Sequence, residues 1–462
     1  MPKICFYCAR HNQKPMQTEP LGIGYLAGYL IQQEFCSEEN IRVVDDVDEV
    51  LSFNPDIIAV SSVTQVINDA KRFAKECRAK LECTILLGGY HISCMPDQLP
   101  PEFDIGILGE GEITFAEIVD LIRNNNFTQD SIKSLKGICF FSGDSVRVNP
   151  PQPLISDVDS LPYPLRYKEY PLGMSLFTSR GCAYRCIFCA SHKLWKGKLR
   201  VRSAESVVDE ISYLVEKFHP KTIRIMDDLW MFDKKRFREI VDKLVDRKIP
   251  QQVSFTGFCR SNIIQEEDIL LLQKMNYRLI RFGAETGSEE LLRRLKGKNI
   301  SVKDHQRVID LCKKHKMPCY GSFMFGIPGE TIDDIEATIN FLAKNRRYFN
   351  IGGFYLYNPI PGTDLWQEMK NCDIISDNFC YENFQLDFLE KNFSWDDVTY
   401  FNEKNIPFDI FKQKIEQIKR DFIFAKPSQS LSRRLKKIGS RIKNKIYPHL
   451  KNYSIFKLTL PK

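Results

Sequence analysis

Apolar runs and helical patterns alternate along residues 1–145. Short, nearly continuous apolar runs such as KICFYCA (3–9), DIIAVSS (56–62) and TILLGG (84–89) predict strands. Segments with helical spacing lie between them, as in LGIGYLAGYLIQQ (21–33). Strands that alternate with helices of this length form βαβ units. We therefore predict an α/β domain with a doubly wound, Rossmann-like parallel sheet.

A second alternating series follows a proline-rich segment, residues 146–170, which predicts an extended linker. Six apolar runs within residues 171–370 predict strands, and helical patterns lie between them. Ser203 is a predicted N-cap, and Thr331 with Asp334 forms a capping-box pattern. Six βα units predict a partial (β/α)6, TIM-like barrel, in which chemistry is expected on the loops that follow the strands.

The C-terminal part has a different character. Residues 371–425 form an extension with few motif signals. The net charge of the chain is +7, but residues 426–462 hold 11 Lys and Arg and no Asp or Glu, so residues 1–425 carry about −4. No general affinity for nucleic acid is expected from this distribution.

The tail itself, residues 426–462, has a helical apolar pattern. The apolar positions are Leu431, Leu435, Ile438, Ile442 and Ile446. They predict a basic amphipathic helix. Two interpretations stay open, contact with an anionic membrane surface and docking on the acidic body of the protein.

No apolar run reaches the length of a membrane span, and the first residues lack an apolar signal core. A cytoplasmic protein is therefore predicted, peripheral to the membrane if the tail binds one. Such a chain keeps its 15 cysteines reduced, so they are interpreted as core residues or metal ligands.

Three cysteines form the most informative motif. Cys182, Cys186 and Cys189 have the spacing CxxxCxxC, directly after the first strand of the predicted barrel. Three close thiolates without an evident fourth ligand indicate a metal centre with an open position, as reactive sites have. Arg180 and Arg185 are expected to offset the negative charge there. The alternative is a zinc knuckle that uses His192.

The motif resembles that of the radical S-adenosylmethionine (SAM) superfamily. The resemblance extends over about residues 172–366 through the segments IMDDLWMFDKKR (225–236), FGAETGSEELLRRLKG (282–297) and GSFMFGIPGET (321–331). It implies that the three cysteines hold a [4Fe–4S] cluster whose open iron binds SAM. The residues that it places near SAM are Phe188, Asp227, Asp228, Arg260, Glu285, Gly326, Pro328 and Tyr357. Taken singly, Glu285 could instead pair with Arg281, and the two aspartates could be strand-end or capping residues.

The N-terminal domain resembles the cobalamin-binding domain that precedes the radical SAM core in one large subgroup. The matching segments are PLGIGYLAGYL (20–30), PDIIAVSSVTQ (55–65), ILLGGYHISCMPDQL (85–99) and FDIGILGEGEITFAEIV (103–119). The resemblance implies that the strand-end loops cradle the corrin ring. The residues expected there are Gly22, Ser61, Ser62, Thr64, Gly88, Gly89, Tyr90, His91, Gly109, Glu110, Gly111 and Glu112. The sequence lacks the Asp-x-His-x-x-Gly loop that ligates cobalt in many such domains, so a domain that serves only as scaffold is the alternative.

Together the two resemblances imply an enzyme that cleaves SAM reductively to a 5′-deoxyadenosyl radical. The leading hypothesis is a cobalamin-dependent methyltransferase that acts on an unactivated carbon. A non-methylating enzyme of the same architecture, for oxidative cyclisation, rearrangement or dehydrogenation, is the runner-up. A metal-stabilised, non-enzymatic scaffold is the third hypothesis. The expected partners are a small-molecule substrate of unknown class and an electron donor such as flavodoxin or ferredoxin.

Overall fold

The computed structural model describes residues 1–10, 16–167, 170–376 and 403–423, with residues 388–389, 393–398 and 401. The predicted basic tail helix lies outside the described residues, and so does its proposed membrane contact. Within the described part, no helix is both long and apolar enough to cross a membrane.

The N-terminal domain is built on a seven-stranded sheet with the order β2-β1-β3-β4-β5-β6-β7. The strands are β1 (Ile4–Cys8), β2 (Ile41–Val44), β3 (Ile57–Ser61), β4 (Thr84–Gly88), β5 (Ile105–Ile107), β6 (Ile138–Ser142) and β7 (Ser145–Val148). β1 to β5 are parallel, as predicted. β6 and β7 run antiparallel, which the sequence analysis did not anticipate. For β7 the reason is local, because a two-residue turn with Gly143 at φ +64° can only join antiparallel neighbours.

Helices cover both faces of this sheet. They are α1 (Leu21–Gln32), α2 (Val47–Phe53), α3 (Ile67–Arg78), α4 (Tyr90–Cys94), α5 (Glu112–Arg123) and α6 (Gln129–Ser134). Successive strand residues point to opposite faces. In β1, Phe6 packs edge-on against Phe115 of α5, whereas Tyr7 stacks on Phe73 of α3 with ring centroids 3.7 Å apart. The near-continuous apolar strands are explained by this two-sided burial.

The second domain forms an open barrel of six parallel strands in two sheets. One sheet contains β8 (Met174–Leu176), β11 (Thr222–Ile225) and β12 (Ser254–Gly257). The other contains β13 (Ile280–Glu285), β14 (Cys319–Phe325) and β15 (Asn350–Leu356). Two isolated parallel bridges, Phe255 to Tyr277 and Cys259 to Phe282, join the sheets into one arc. This is the predicted partial (β/α)6 barrel.

Helices wrap the outside of the arc. The main ones are α8 (Ala204–Phe218), α9 (Lys234–Asp246), α10 (Glu266–Lys274), α11 (Glu289–Lys296), α12 (Val302–Lys314) and α13 (Ile332–Asn345). The predicted caps are present: Ser203 accepts from Ser206 N, and Thr331 with Asp334 forms a capping box. Shorter elements complete the domain, namely β9 (Ser179–Arg180), α7 (Ser191–Trp195), β10 (Arg200–Val201), α14 (Asp364–Asn371) and α15 (Phe408–Ile418).

Successive side chains along each barrel strand point alternately toward the outer helices and toward the concave side of the barrel. Phe282 of β13 stacks against His305 of α12, with ring centroids 5.2 Å apart, so it faces the helices. Ile223 and Ile225 of β11 are likewise buried in the core between sheet and helices. Arg281 and Arg224 therefore point toward the concave side.

The proline-rich segment packs closely on the first domain, although it was predicted as a simple linker. The Leu165 amide donates to Gly24 O of α1 at 2.9 Å. A Cβ on Gly24 would lie 2.8 Å from Leu165 O, so only glycine permits this approach. Arg166 then bridges Glu19 of the first domain and Glu210 of α8, and all three side chains are buried. The segment thus fastens one domain to the other.

Candidate active site at the junction of the two domains

The three motif cysteines lie on one loop at the carboxyl end of the first barrel strand. Gly181 precedes them at φ +96°, and a Cβ there would lie 2.1 Å from Lys198 O. The loop is fixed by backbone hydrogen bonds, from Cys189 N to Cys186 O and from Ile187 N to Leu295 O, each 3.0 Å. These hydrogen bonds and the close contact at Gly181 define the conformation of the loop.

The surroundings of the thiols favour their neutral form until a cation binds. Burial raises the pKa of Cys182, and it raises the pKa of Cys189 to about 12. Positive iron ions would supply the charge that stabilises the thiolates. Arg260 contributes as well, since its Nη1 lies 3.3 Å from Cys186 Sγ while its guanidinium stacks over Tyr184 at 3.7 Å from the ring centroid.

The zinc-knuckle alternative finds no support in the geometry. In the described part of the chain, no three or more His, Cys, Asp and Glu side chains are grouped so that they could hold one metal ion. In a [4Fe–4S] cluster the thiolates bind different irons, so the sulfurs need not converge on one point. The loop fits a cluster better than a single zinc ion.

The two aspartates after β11 have different environments. Asp227 is buried and accepts hydrogen bonds from Thr178 N and Oγ1, both 2.6 Å, and from Ser179 Oγ at 2.5 Å. Burial raises its pKa to about 6, although these hydrogen bonds oppose the shift. Asp228 is exposed and accepts from Ser191 Oγ at 2.7 Å and from Trp195 Nε1 at 3.1 Å. Asp227 fixes the strand that leads into the cysteine loop, and its place near SAM stays a prediction.

Glu285 ends β13 in an unusual backbone conformation. Its φ is +62°, and a register shift interrupts the pairing with β14 between Gly283 and Glu285. Its carboxylate pairs with Lys296 Nζ at 2.7 Å, and both side chains are buried. The alternative pairing with Arg281 is therefore wrong. A non-glycine residue held at positive φ is commonly a functional position, which fits the predicted role at the site.

The remaining predicted SAM residues come from the fifth and sixth strands. Gly326, at φ +72°, donates its N–H to Glu330 Oε2 at 2.6 Å. Burial raises the pKa of Glu330 to about 8. Pro328 O accepts from Arg294, and Tyr357 is buried with its amide bonded to Phe325 O. Phe188 is partly buried against the core.

The strand-end loops of the first domain carry most of the predicted cobalamin residues on one edge. Gly89, at φ +99°, packs so closely on the Ser61–Ser62 turn that a Cβ would lie 2.5 Å from Ser62 O. His91 is buried, and its Nδ1 lies 3.2 Å from Thr64 Oγ1. Burial lowers the pKa of His91 to about 4, so it is a neutral residue inside the loop. Its contacts are structural and do not present it as a ligand to cobalt.

Glu110 and Glu112, which were predicted to line the cobalamin site, form ion pairs with the second domain. Glu110 accepts from Arg180 at 2.8 Å and from Arg200 at 2.7 Å, and Glu112 accepts from Arg180 at 2.6 Å. All of these side chains are largely buried. Arg180 was expected to balance charge at the cysteines, but its guanidinium is turned to the first domain. These carboxylates therefore join the two domains.

Among the other predicted cobalamin residues on this edge, Tyr90 contacts the second domain. Several of the glycines have free space beside them. Tyr90 reaches the second domain, where its hydroxyl donates to Pro361 O at 2.9 Å. Gly22 and Gly109 have no heavy atom within 4 Å of an added Cβ, and a Cβ on Gly88 would meet only Val60 O at 4.0 Å. Gly111 lies beside Leu26. The junction thus brings the cysteine loop and an open, glycine-lined edge of the sheet into one region.

Three residues that support the site escaped the sequence analysis. Lys296 follows Leu292 by one helical turn on the buried face of α11, and a lysine on an apolar stripe is the signal that could have identified it. Thr178 and Ser179, which hold Asp227, gave no signal, because their role depends on a strand 48 residues away in the chain.

Comparison with known proteins agrees with this geometry. Residues 176–342 match the model of the radical SAM superfamily, and residues 15–119 match that of the B12 binding domain. The chain is 30% identical over 371 residues to the uncharacterized methyltransferase PH0819 of Pyrococcus horikoshii, covering 75% of this chain and 78% of the relative. It is 26% identical over 374 residues to the anaerobic magnesium-protoporphyrin IX monomethyl ester cyclase of Cereibacter sphaeroides, covering 76% of this chain and 60% of the cyclase.

A solved structure shows the same fold. It is the radical SAM methyltransferase TsrM from Kitasatospora setae with cobalamin and a [4Fe–4S] cluster bound. The TM-score is 0.68 at 19% identity, over 81% of this chain and 76% of TsrM. The predicted fold class and the predicted cofactors are confirmed. The chain belongs to the radical SAM superfamily, among the enzymes that carry a B12 binding domain ahead of the radical SAM domain and use a [4Fe–4S] cluster, SAM and cobalamin.

Proposed function

We propose that this enzyme methylates an unactivated carbon of a small molecule in a cobalamin-dependent reaction. The observation that carries the proposal is the set of buried ion pairs between the two domains. Arg180, two residues before the first motif cysteine, pairs with Glu110 and Glu112 on the loop after β5. This contact holds the cysteine loop against the open edge of the B12 binding domain, so that groups bound at the two places would face one substrate.

When bound, the cofactors supply a 5′-deoxyadenosyl radical for hydrogen abstraction and a methyl group for transfer to the resulting carbon radical. The protein positions and shields them. Cys182, Cys186 and Cys189 would hold the cluster, and Arg260 would place a positive charge beside one thiolate. We assign Asp228 and Glu285 to the polar groups of SAM, since both lie at the carboxyl ends of barrel strands.

The cobalamin side of the proposal rests on the shape of the sheet edge. Gly22, Gly88 and Gly109 leave space in which a flat macrocycle can approach the backbone. Val63, on the loop after β3, is an apolar side chain with 44% of its surface exposed. Since His91 is enclosed within its own loop, we propose that cobalamin binds without a histidine ligand from this domain.

A non-methylating reaction of the same site is the second candidate. The observation in its favour is the relative from Cereibacter sphaeroides, which is named a cyclase and matches 76% of this chain. The two candidates differ in their products. A methyltransferase forms S-adenosylhomocysteine as well as 5′-deoxyadenosine, whereas the cyclase-type reaction forms no S-adenosylhomocysteine.

A substrate-independent experiment tests the methyltransferase proposal. The protein is purified anaerobically with cobalamin supplied, its cluster is reconstituted, and it is incubated with a chemical reductant and SAM labelled in the methyl group. We expect S-adenosylhomocysteine and the label on protein-bound cobalamin. Cys189→Ala should lose cluster iron and 5′-deoxyadenosine formation, while Cys372→Ala, at an exposed cysteine, should retain both. Cleavage of SAM without any S-adenosylhomocysteine would contradict methyl transfer and favour the second candidate.

An acidic electron donor fits the surface beside the cysteine loop. Four exposed cations lie on this loop and the segment after it, namely Arg185, Lys193, Lys196 and Lys198. We propose that flavodoxin or ferredoxin docks there. The proposed contact of residues 426–462 with anionic membranes remains a prediction, and co-sedimentation of the chain with and without this tail on anionic liposomes tests it.

A further inference from the structure

One layer of side chains on the concave side of the barrel combines a cation with apolar surface. The strand register aligns Met226, Phe258, Arg281 and Tyr320 across four neighbouring strands. The guanidinium of Arg281 lies 5.4 Å from the centroid of the Phe258 ring, which confirms that the two side chains share this layer. Met226 and Phe258 directly follow the last residues of β11 and β12, and Arg281 lies four residues before Glu285 on β13.

Among the described residues, Arg281 has no acidic partner that neutralises its charge. No carboxylate of the described residues lies within ion-pair distance of its guanidinium, and its buried Nε has no hydrogen-bond partner there. Neighbouring arginines behave differently: Arg260 and Arg294 both have polar partners. A partly buried guanidinium without a counterion is unfavourable, so its presence indicates that an anion completes the site.

The same layer exposes apolar surface that a folded protein would ordinarily cover. Phe258 retains 49% and Met226 38% of their accessible surface, although both lie inside the arc of the barrel. Apolar walls with a small number of polar groups are the usual lining of a small-molecule site. The combination fits a ligand that is apolar along its length and negatively charged at one end.

Two glycines of the same barrel sheet leave room for the side chains that lie over them. A Cβ on Gly283 would lie 2.0 Å from Glu285 Oε1, and a Cβ on Gly353 would lie 2.3 Å from the Tyr355 ring. Glycine at both positions lets those side chains fold over their own strands.

We propose that Arg281 binds an anionic group of the substrate, a carboxylate or a phosphate-type group, while Phe258 and Met226 contact its apolar part. The inference rests on the proposed function, because it places the substrate within the same barrel. It adds the substrate class: an organic acid whose anionic group is held by Arg281 on the concave side of the barrel.

Matched ligand pairs test this assignment. The full-length protein, with its cluster reconstituted and SAM bound, is titrated by calorimetry with phenylacetate and phenylacetamide, and with phenylphosphonate and its neutral diethyl ester. We expect at least roughly tenfold tighter binding of the anion, the ratio that one charge-assisted hydrogen bond supplies. Arg281→Gln should remove this preference and Arg281→Lys should keep part of it. Arg278→Gln, at an exposed arginine of the same segment, should leave it unchanged.

Equal affinity for acid and neutral analogue in the wild-type protein, including the absence of binding by both, would overturn the assignment. So would a preference that survives in Arg281→Gln. The two acids distinguish carboxylate from phosphate-type recognition. Formation of S-adenosylhomocysteine is measured separately in the same preparation. Its absence would contradict methyl transfer but not the anion preference. Loss of the anion preference would contradict the role of Arg281 but not methyl transfer.

Discussion

Arg180 Nη1 lies 2.8 Å from Glu110 Oε1, and these residues belong to different domains. Burial alone would raise the pKa of Glu110, but hydrogen bonds and charge from Arg200 and Arg180 outweigh it and hold the pKa below its usual value. The contact lies two residues from Cys182. The relative position of the two cofactor sites therefore depends on a buried ion pair.

Replacing one partner of this pair should be strongly destabilising. We expect Glu110→Ala to lower the free energy of unfolding by about 3–5 kcal/mol, because Arg200 then stays buried without a counterion and Arg180 keeps only Glu112. Urea denaturation measures the change. Glu76→Ala, which removes an exposed pair with Arg72, is the matched control and should have little effect. A similar loss in both variants would show that the junction is not held by Glu110.

The pair between Lys296 and Glu285 should behave as one unit. Lys296→Met leaves a buried carboxylate without its partner, so we expect about 3 kcal/mol of destabilisation and weaker SAM binding. The double variant Lys296→Met with Glu285→Gln should recover much of the stability but not the SAM affinity, because the charge is then gone from both sides. Urea denaturation and SAM titration separate the two effects. Lys298→Met, at an exposed lysine, is the control.

Arg260 is expected to raise the reduction potential of the cluster. Removing its positive charge beside Cys186 disfavours the reduced, more negative cluster, so Arg260→Gln should lower the reduction potential. A shift on the order of 60 mV corresponds to a tenfold change in a one-electron equilibrium. Redox titration followed by electron paramagnetic resonance measures it. Arg185→Gln removes an exposed arginine of the same loop and should shift the potential less; an equal shift would assign the effect to overall charge.

Two glycine substitutions should have opposite effects on stability. Gly89→Ala places a Cβ 2.5 Å from Ser62 O at φ +99°, so we expect a loss of about 1–3 kcal/mol. Gly22→Ala lies in open space on α1, and a gain of up to about 1 kcal/mol is expected. Thermal unfolding of the cobalamin-free protein measures both. If Gly22 faces the macrocycle, Gly22→Ala should also retain less cobalamin, and unchanged retention would remove Gly22 from the proposed site.

Acid should destabilise the first domain through His91. The pKa of His91 falls from 6.5 to about 4 because of burial, so the unfolded chain binds the additional proton between these values. The contribution of His91 is complete above pH 6.5 and is lost as the pH falls toward 4, up to about 3 kcal/mol. Burial raises the pKa of Asp227 to about 6, which acts in the opposite direction.

The comparison of His91→Asn with the wild type therefore isolates this residue. Asparagine can keep a hydrogen bond to Thr64 but does not titrate. We expect the pH dependence of the urea midpoint between pH 6.5 and 4 to be smaller in His91→Asn. Parallel curves for the two proteins would show that His91 does not titrate in this range.

Patterns within short segments were predictable from the sequence. The apolar strands, the caps at Ser203 and Thr331, and the spacing of Cys182, Cys186 and Cys189 depend on residues a few positions apart, where local geometry is the same in every fold. The antiparallel end of the first sheet was missed because its turn, at Gly143, decides strand direction more than strand composition does.

Contacts between distant segments required the tertiary structure. The sequence determined which residues could do chemistry: three thiols, several acids, and a glycine-lined sheet edge. Only the fold decided that Glu110 and Glu112 pair with Arg180, that Lys296 and not Arg281 pairs with Glu285, and that Asp227 supports a strand. The physical reason is that ion pairs and hydrogen bonds act over a few ångströms in space, and sequence separation carries no information about which charges meet once the chain is packed.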